Sequence, residues 1–280
     1  MISKLFLCAF ASPDLFLSKK RFLTQARNIN FYRNIKIYGV DDLKKNTKNK
    51  INKYLLTKNR RGYGYWLWKP EIVLDFLKKI PENSILQYSD IGCHINPKGL
   101  VRIREYQNIC DKKNMLTFQY SDPPNRKIDL IYPNYLEFQY TKADLMNFLD
   151  INYHSIHMSS PQIWSGTFFI KKNEKNIKFM ESWLRIFENM NLIDDSMSFA
   201  KNNNKFIEHR HDQSAFSLLC KLNNFFSLSV YEHCEWALDK KGRNWSHLLD
   251  CPILAKRDLK YISFYAAKER FKKIYKRIIK

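Results

Sequence analysis

Ser84-Ile85-Leu86-Gln87-Tyr88-Ser89-Asp90-Ile91-Gly92 is the stretch on which the fold turns. Its first six residues form a mostly apolar run of strand length, and Pro81-Glu82-Asn83 just before it stops a helix. That helix is announced by Pro70 in the place of a first helical residue, with Ile72, Val73, Leu74, Phe76, Leu77 and Ile80 following at helical spacing. A helix feeding a buried strand suits a βαβ sheet, so Asp90 is expected at a strand's carboxyl end, the edge of an open α/β sheet where ligands bind.

Working outward, residues 4–11 read as a first buried strand, 18–27 as a helix, and 34–40 as a second strand closing on Asp41 and Asp42. On the other side, 164–171 reads as a strand, 177–189 as a helix carrying Phe179, Met180, Trp183, Leu184 and Phe187 at helical spacing, and 212–222 as a further helix. The middle, 119–161, is rich in Tyr, Asp, Asn and Pro and yields only short strands, loops and one helix near 142–149. No repeat or low-complexity linker divides the chain. One α/β catalytic domain over residues 1–262 with a basic amphipathic helix at 263–280 is the economical description. In that tail Phe271, Ile274, Tyr275, Ile278 and Ile279 share a stripe among Lys and Arg, which suits a membrane-surface anchor and suits packing on the domain equally.

Composition sets bounds on partners. The chain has 280 residues, 45% of them hydrophobic, enough for a sizeable core. It has no apolar run of about eighteen residues and no signal-peptide pattern, which predicts a cytoplasmic protein. Its six cysteines show no C-x-x-C spacing and read as reduced thiols. The net charge of +21 suits nucleic acid, anionic lipid or a phosphorylated substrate, and also a merely biased surface. No zinc-finger, RRM-type or P-loop signature is present, and the aromatics cluster with Gly and Asp, so nucleic acid is not the expected partner.

Four segments carry the chemistry. Arg61-Gly62-Tyr63-Gly64-Tyr65-Trp66-Leu67-Trp68-Lys69-Pro70 combines two glycines that admit a close ligand, aromatic faces for a base or sugar, and two cations before a helix, an arrangement that satisfies a diphosphate. Each Trp taken singly reads as a core aromatic; the segment as a whole reads as a site. Asp90 with Gly92 behind it suits a divalent cation bridging nucleotide phosphates, and suits a turn or cap as well. Trp164-Ser165-Gly166-Thr167 opens a strand with a sugar-stacking face and a glycine, or is simply a buried strand start. Glu208-His209-Arg210-His211-Asp212-Gln213-Ser214 crowds ionisable groups before an apolar helix, with an N-cap role for Asp212 as the competitor.

In this order, the Tyr-x-Trp-Lys-Pro helix, the strand ending Tyr-Ser-Asp-x-Gly, Ser-Gly-Thr-Phe-Phe-Ile and His-Asp-Gln-Ser resemble GT-A glycosyltransferases of the glycogenin and bacterial lipooligosaccharide galactosyltransferase kind. They also resemble capsular and lipopolysaccharide transferases with a Tyr-x-Asp-Ala-Gly form of the metal motif. The resemblance implies a GT-A-like, Rossmann-type mixed sheet flanked by helices, a UDP- or GDP-linked sugar as donor, and a glycan or lipid-linked acceptor at a membrane's inner face. It places Lys69 on the diphosphate, Asp90 on the metal or ribose, Gly166 on the sugar, and Asp212 and Gln213 by the donor sugar and acceptor. By their residue types Arg61 and Tyr65 join the nucleotide side and Trp164 the sugar side. If the reaction inverts, Asp212 is the expected base with His211 second; if it retains, Asp212 stabilises positive charge building on the donor ring. The metal motif is incomplete, since Tyr88 and Gly92 stand where a second carboxylate is needed. Either a histidine, His233 or His247, joins Asp90 around Mn2+ or Mg2+, or Arg61 and Lys69 neutralise the phosphates without a metal. Transfer of a phosphorus-containing group from a nucleotide carrier to a sugar needs the same cradle and is the alternative reading.

Overall fold

The computed structural model describes residues 3–56, 61–123, 132–234, 238–239, 242–243 and 248–256. The expected helix at 263–280 and the candidate His247 lie outside the described residues.

Ten strands are present among them: β1 (Leu5–Phe10), β2 (Asn34–Tyr38), β3 (Ile85–Ser89), β4 (His94–Ile95), β5 (Met115–Gln119), β6 (Ile163–Lys171), β7 (Phe226–Ser229), β8 (Leu238–Asp239), β9 (Gly242–Arg243) and β10 (Ile253–Leu254). Six build the central sheet in the order β2-β1-β3-β6-β5-β7. β1 pairs in parallel with β2 and β3, and β5 with β7, whereas β6 runs antiparallel to both β3 and β5. β6 is therefore the one reversed strand of the six, and its first residues meet the carboxyl ends of β3 and β5 at a common edge. The pairing Ser89 with Thr167 and the Asp90 amide donating to the Gly166 carbonyl at 2.8 Å fix that meeting point.

The sheet is apolar on both faces because both are covered. β1 is buried along its whole length, and its residues alternate. Phe6, Cys8 and Phe10 join one core with Ile72, Val73, Phe168, Trp183 and Phe216. Leu5, Leu7 and Ala9 join the other with Phe22, Ile103, Tyr106 and Phe118. The helices Trp68–Lys79, Glu174–Ile186 and His211–Leu222 supply the first face, and Phe16–Asn28 and Leu100–Lys113 the second. The result is a mixed α/β single domain, as the strand and helix signals predict. Pro70 is displaced from its expected place: the helix begins at Trp68, so Pro70 is its third residue, still within the first turn where a missing N–H costs nothing. The helix containing Asp212 begins at His211, so Asp212 lies inside it and is not its cap. No helix among the described residues is long and apolar enough to cross a membrane.

Candidate functional site

The approach to the sheet edge is made by a left-handed turn. Gly62, Tyr63, Gly64, Tyr65 and Trp66 all have positive φ, from 51° to 85°. The Tyr65 amide donates to the Arg61 carbonyl at 2.9 Å and the Trp66 amide to Gly62 at 3.1 Å, so the segment closes i to i−4 in the hand opposite to an ordinary helix. Glycine adopts this readily, but each of the three aromatic residues costs roughly 1–2 kcal/mol there. Packing holds the turn. The Trp68 indole N–H donates to the Gly62 carbonyl, its ring stacks on Phe10 at 4.1 Å, and the Tyr65 hydroxyl donates to Asp195 at 3.0 Å. A Cβ on Gly62 would fall 2.3 Å from the Trp66 ring, so glycine is required by space as well as by φ.

The turn delivers Lys69 to the edge, where it meets the other conspicuous segments. Its ammonium lies 2.5 Å from Asp212 Oδ2, 3.3 Å from Asp90 Oδ1 and 3.3 Å from Ser165 Oγ. Ser165 in turn donates to Asp212 Oδ2 at 2.8 Å, and the Tyr88 hydroxyl donates to Asp90 Oδ1 at 2.6 Å. Lys69 is 1% exposed, yet it stays charged: burial pushes its pKa down, and the Asp212 and Asp90 carboxylates beside it outweigh burial and hold it above the ordinary lysine value. The Asp90 side chain is 27% accessible and Asp212 nearly closed, so the cluster of two carboxylates and one ammonium opens to solvent mainly through Asp90. Burial also pushes the Tyr88 phenol well up, so it remains a hydrogen-bond donor to Asp90.

Four segments distant in sequence thus converge on one point, which the sequence motifs anticipate. The individual assignments change. Lys69 is committed to two carboxylates and is not a free phosphate ligand. Arg61 lies 3.6 Å from both Asp195 and Glu208, on the outer side of the turn. Tyr65 is buried with its hydroxyl on Asp195, so it braces the turn and presents no face to a base. His211 has positive φ, donates through Nδ1 to the Ile193 carbonyl at 2.7 Å and stacks on Trp66. Burial lowers its pKa, leaving a neutral imidazole that supports the Asp212 turn. Trp164 is buried across Gly166, where a Cβ would come within 2.2 Å of its ring; it packs beside His233 and offers no open stacking face. Gln213 donates to Gln162 Oε1 at 2.8 Å.

The described residues offer no set of protein ligands that would hold a divalent ion by themselves: Asp90 shares Oδ1 with Lys69 and Tyr88, so its Oδ2 is the carboxylate atom left toward an ion whose other ligands would be phosphate oxygens and water. His233 is fully buried against Phe118, donates through Nδ1 to the Ile253 carbonyl, and makes no hydrogen bond through Nε2. No three His, Cys, Asp or Glu side chains among the described residues come together as a metal site.

Three contributors were not singled out by sequence reasoning. Ser165 bridges Lys69 and Asp212. Arg21 donates to the carbonyls of Ile91 and Cys93 at 2.9 and 2.7 Å and so shapes the loop behind Asp90. Asp195 collects Arg61, Tyr65 and His211. Only Ser165 carried a signal, as the polar residue beside the glycine of its motif.

No family model and no curated protein sequence matches the chain. Among solved structures it is similar to a glycosyltransferase involved in the glycosylation of the major capsid of PBCV-1, with 11% identity, 90% of this chain and 91% of that one covered, and a TM-score of 0.47. It is also similar to mouse xyloside xylosyltransferase 1 in its apo form, with 8% identity, 83% and 87% covered, and a TM-score of 0.39. At such identities and scores neither likeness assigns a function to this chain.

Proposed function

We propose that the chain is a glycosyltransferase that moves a sugar from a UDP- or GDP-linked donor to a hydroxyl of a surface-glycan precursor, free or lipid-linked, at the cytoplasmic face of a membrane. The observation that carries this is the Asp90–Lys69–Asp212 cluster at the carboxyl edge of β3, assembled from the four motifs on which the glycosyltransferase resemblance stands. In this reading Asp90, oriented by Tyr88 and Lys69, accepts hydrogen bonds from donor hydroxyls. Asp212 stands at the reacting carbon with Oδ2 held by Lys69 and Ser165, leaving Oδ1 for the acceptor. The acceptor oxygen forms a bond to the anomeric carbon, the bond from that carbon to the diphosphate oxygen breaks, the electron pair leaves with the nucleoside diphosphate, and the hydroxyl proton passes to Asp212. The carboxylate is pre-oriented, so little reorganisation accompanies the transfer. The excess of 48 Lys and Arg over 27 Asp and Glu favours arrival of an anionic donor.

Thermal unfolding against UDP, GDP, CMP and their sugars tests the reading, because a ligand that binds only the native state raises the midpoint. One nucleotide series should stabilise the protein selectively. Asp212→Asn should retain that shift while turnover falls by roughly 10²–10⁴-fold, the usual weight of a positioned base. No response to any nucleotide, or normal turnover in the variant, refutes the proposal.

A further inference from the structure

Between the helix Glu174–Ile186 and the helix His211–Leu222 the chain makes a long excursion whose base belongs to the site and whose tip does not. At the base, Asp195 meets Tyr65, Arg61 and His211, and Lys142 reaches the Asn191 carbonyl and Ser196. At the tip, Met197 is 91% exposed, Phe199 84% and Ile207 61%. These large apolar side chains are displayed by ordered backbone. Asp144 accepts from the amides of Phe199 and Ala200 at 2.9 and 2.8 Å, the Ala143 amide donates to Asn202, and the Ile207 amide donates to the Gln139 carbonyl. The loop is therefore pinned along both arms to the segment 137–148, and nothing among the described residues covers its apolar tip. Lys201 and Lys205 are exposed in the same loop. Between Asp194 and Glu208 the loop tip itself carries no carboxylate but Asp195, which is turned to Arg61 at the base.

We propose that this loop is a lipid-contact element: Met197 and Phe199 enter the interfacial region of an anionic bilayer while Lys201 and Lys205 meet its headgroups. Apolar side chains with flanking cations are the chemistry such a boundary takes up, and the positive sign of the loop selects anionic over zwitterionic lipid. The consequence rests on the glycosyltransferase reading: the loop's base holds the His211-Asp212 turn, so docking the tip sets Asp212 close to the membrane and to a lipid-linked acceptor.

The test uses the full chain and vesicles of phosphatidylcholine with and without phosphatidylglycerol. In Phe199→Trp, the new indole should shift to shorter wavelength and be quenched by brominated acyl chains when anionic vesicles are added. The double variant Met197→Ser/Phe199→Ser should lose at least about tenfold in the fraction sedimenting with anionic vesicles, as expected for removing two exposed anchors. Its unfolding midpoint, nucleotide binding and turnover on a short soluble acceptor should remain as in the parent. Lys201→Gln/Lys205→Gln should weaken binding to anionic vesicles by roughly tenfold, with little change on phosphatidylcholine alone. The proposal is overturned if the parent does not bind anionic vesicles, if it binds but the position-199 indole is not quenched, or if the double serine variant sediments like the parent. Quenching without any sugar transfer would sink the functional reading alone; transfer without quenching would sink the loop alone.

Discussion

The helix His211–Leu222 carries a buried ion pair at each end, and the two are built differently. At its start, Lys69 sits between Asp212 and Asp90, and the second carboxylate is partly open to solvent. Toward its end, Lys221 pairs with Glu137 at 3.0 Å, where Glu137 is 0% exposed and also accepts from Thr141, Gln162 and Ser217. Burial lowers the Lys221 pKa, one carboxylate only partly opposing it, whereas two carboxylates raise that of Lys69 despite burial. The Glu137 cluster is closed, with protein donors around its carboxylate; its work is to fix the helix against the segment 137–162. The Asp90–Asp212 cluster holds an excess negative charge and, on Asp90, an accessible carboxylate, through which a ligand can meet it. Gln213, on the same helix, donates to Gln162 and so ties the open cluster's neighbourhood to the closed one.

The comparison breaks most visibly at Lys69. Lys69→Met strands two carboxylates around an apolar side chain, and removing one partner of a buried pair typically costs about 3–5 kcal/mol. Both the unfolding midpoint and turnover should fall steeply, and Lys69→Arg should not restore turnover, because a planar guanidinium cannot take the place of a compact ammonium between Asp90, Asp212 and Ser165. Chemical denaturation alongside single-turnover assays reads the two effects separately. Retention of activity in Lys69→Met would show the cluster to be structural, like its counterpart.

At the other end, Lys221→Met should cost stability in the same range of about 3–5 kcal/mol, since it leaves Glu137 buried and unpaired. The folded fraction should keep near-normal turnover. Glu137→Gln/Lys221→Met removes both charges while retaining hydrogen-bonding atoms for Ser217, Thr141 and Gln162, and should recover most of the loss. A double variant as unstable as the single one, or one that is folded yet inactive, would erase the distinction between the closed and open clusters.

Much of this architecture is legible in the sequence, for identifiable reasons. β1 is a continuous apolar run and β3 and β6 are mostly apolar, because both sheet faces are covered, and such runs announce themselves. The convergence of Lys69, Asp90, Ser165 and Asp212 follows from placing four motifs at strand or helix boundaries on one edge. β7 was invisible, being a short edge strand with only its last residue buried. The roles of single residues were less legible because they depend on pairing. A lysine before a helix reads as a phosphate ligand until two acids folded against it are seen, and Tyr65 and Trp164 read as stacking faces until their burial is known. The left-handed turn of 62–66 is written only as two glycines; the positive φ of Tyr63, Tyr65 and Trp66 comes from tertiary packing and from no local preference.

His233 offers the finest test of how a buried titratable group behaves when its partners only partly offset its burial. Burial lowers its pKa to about 4, with the Ile253 carbonyl and Glu232 opposing only in part. In the unfolded chain the imidazole titrates near 6.5. Above that pH neither state is protonated and the group has no effect on stability. As pH falls from about 6.5 to about 4, the unfolded chain takes up a proton that the native state refuses, so stability declines; below about 4 both states are protonated and the loss levels off at about 3 kcal/mol. His233→Asn keeps a donor for the Ile253 carbonyl but cannot titrate. Urea unfolding at half-unit steps from pH 7.5 to 4 should therefore show parent and variant diverging, with the parent losing more stability, and the difference between the curves confined to that window. Lys69, raised rather than lowered, should add nothing to the slope there. Parallel curves would mean that His233 takes up its proton in the folded state near its ordinary value, as a solvated imidazole does, and would remove the physical basis for treating it as a neutral packing residue beneath Trp164.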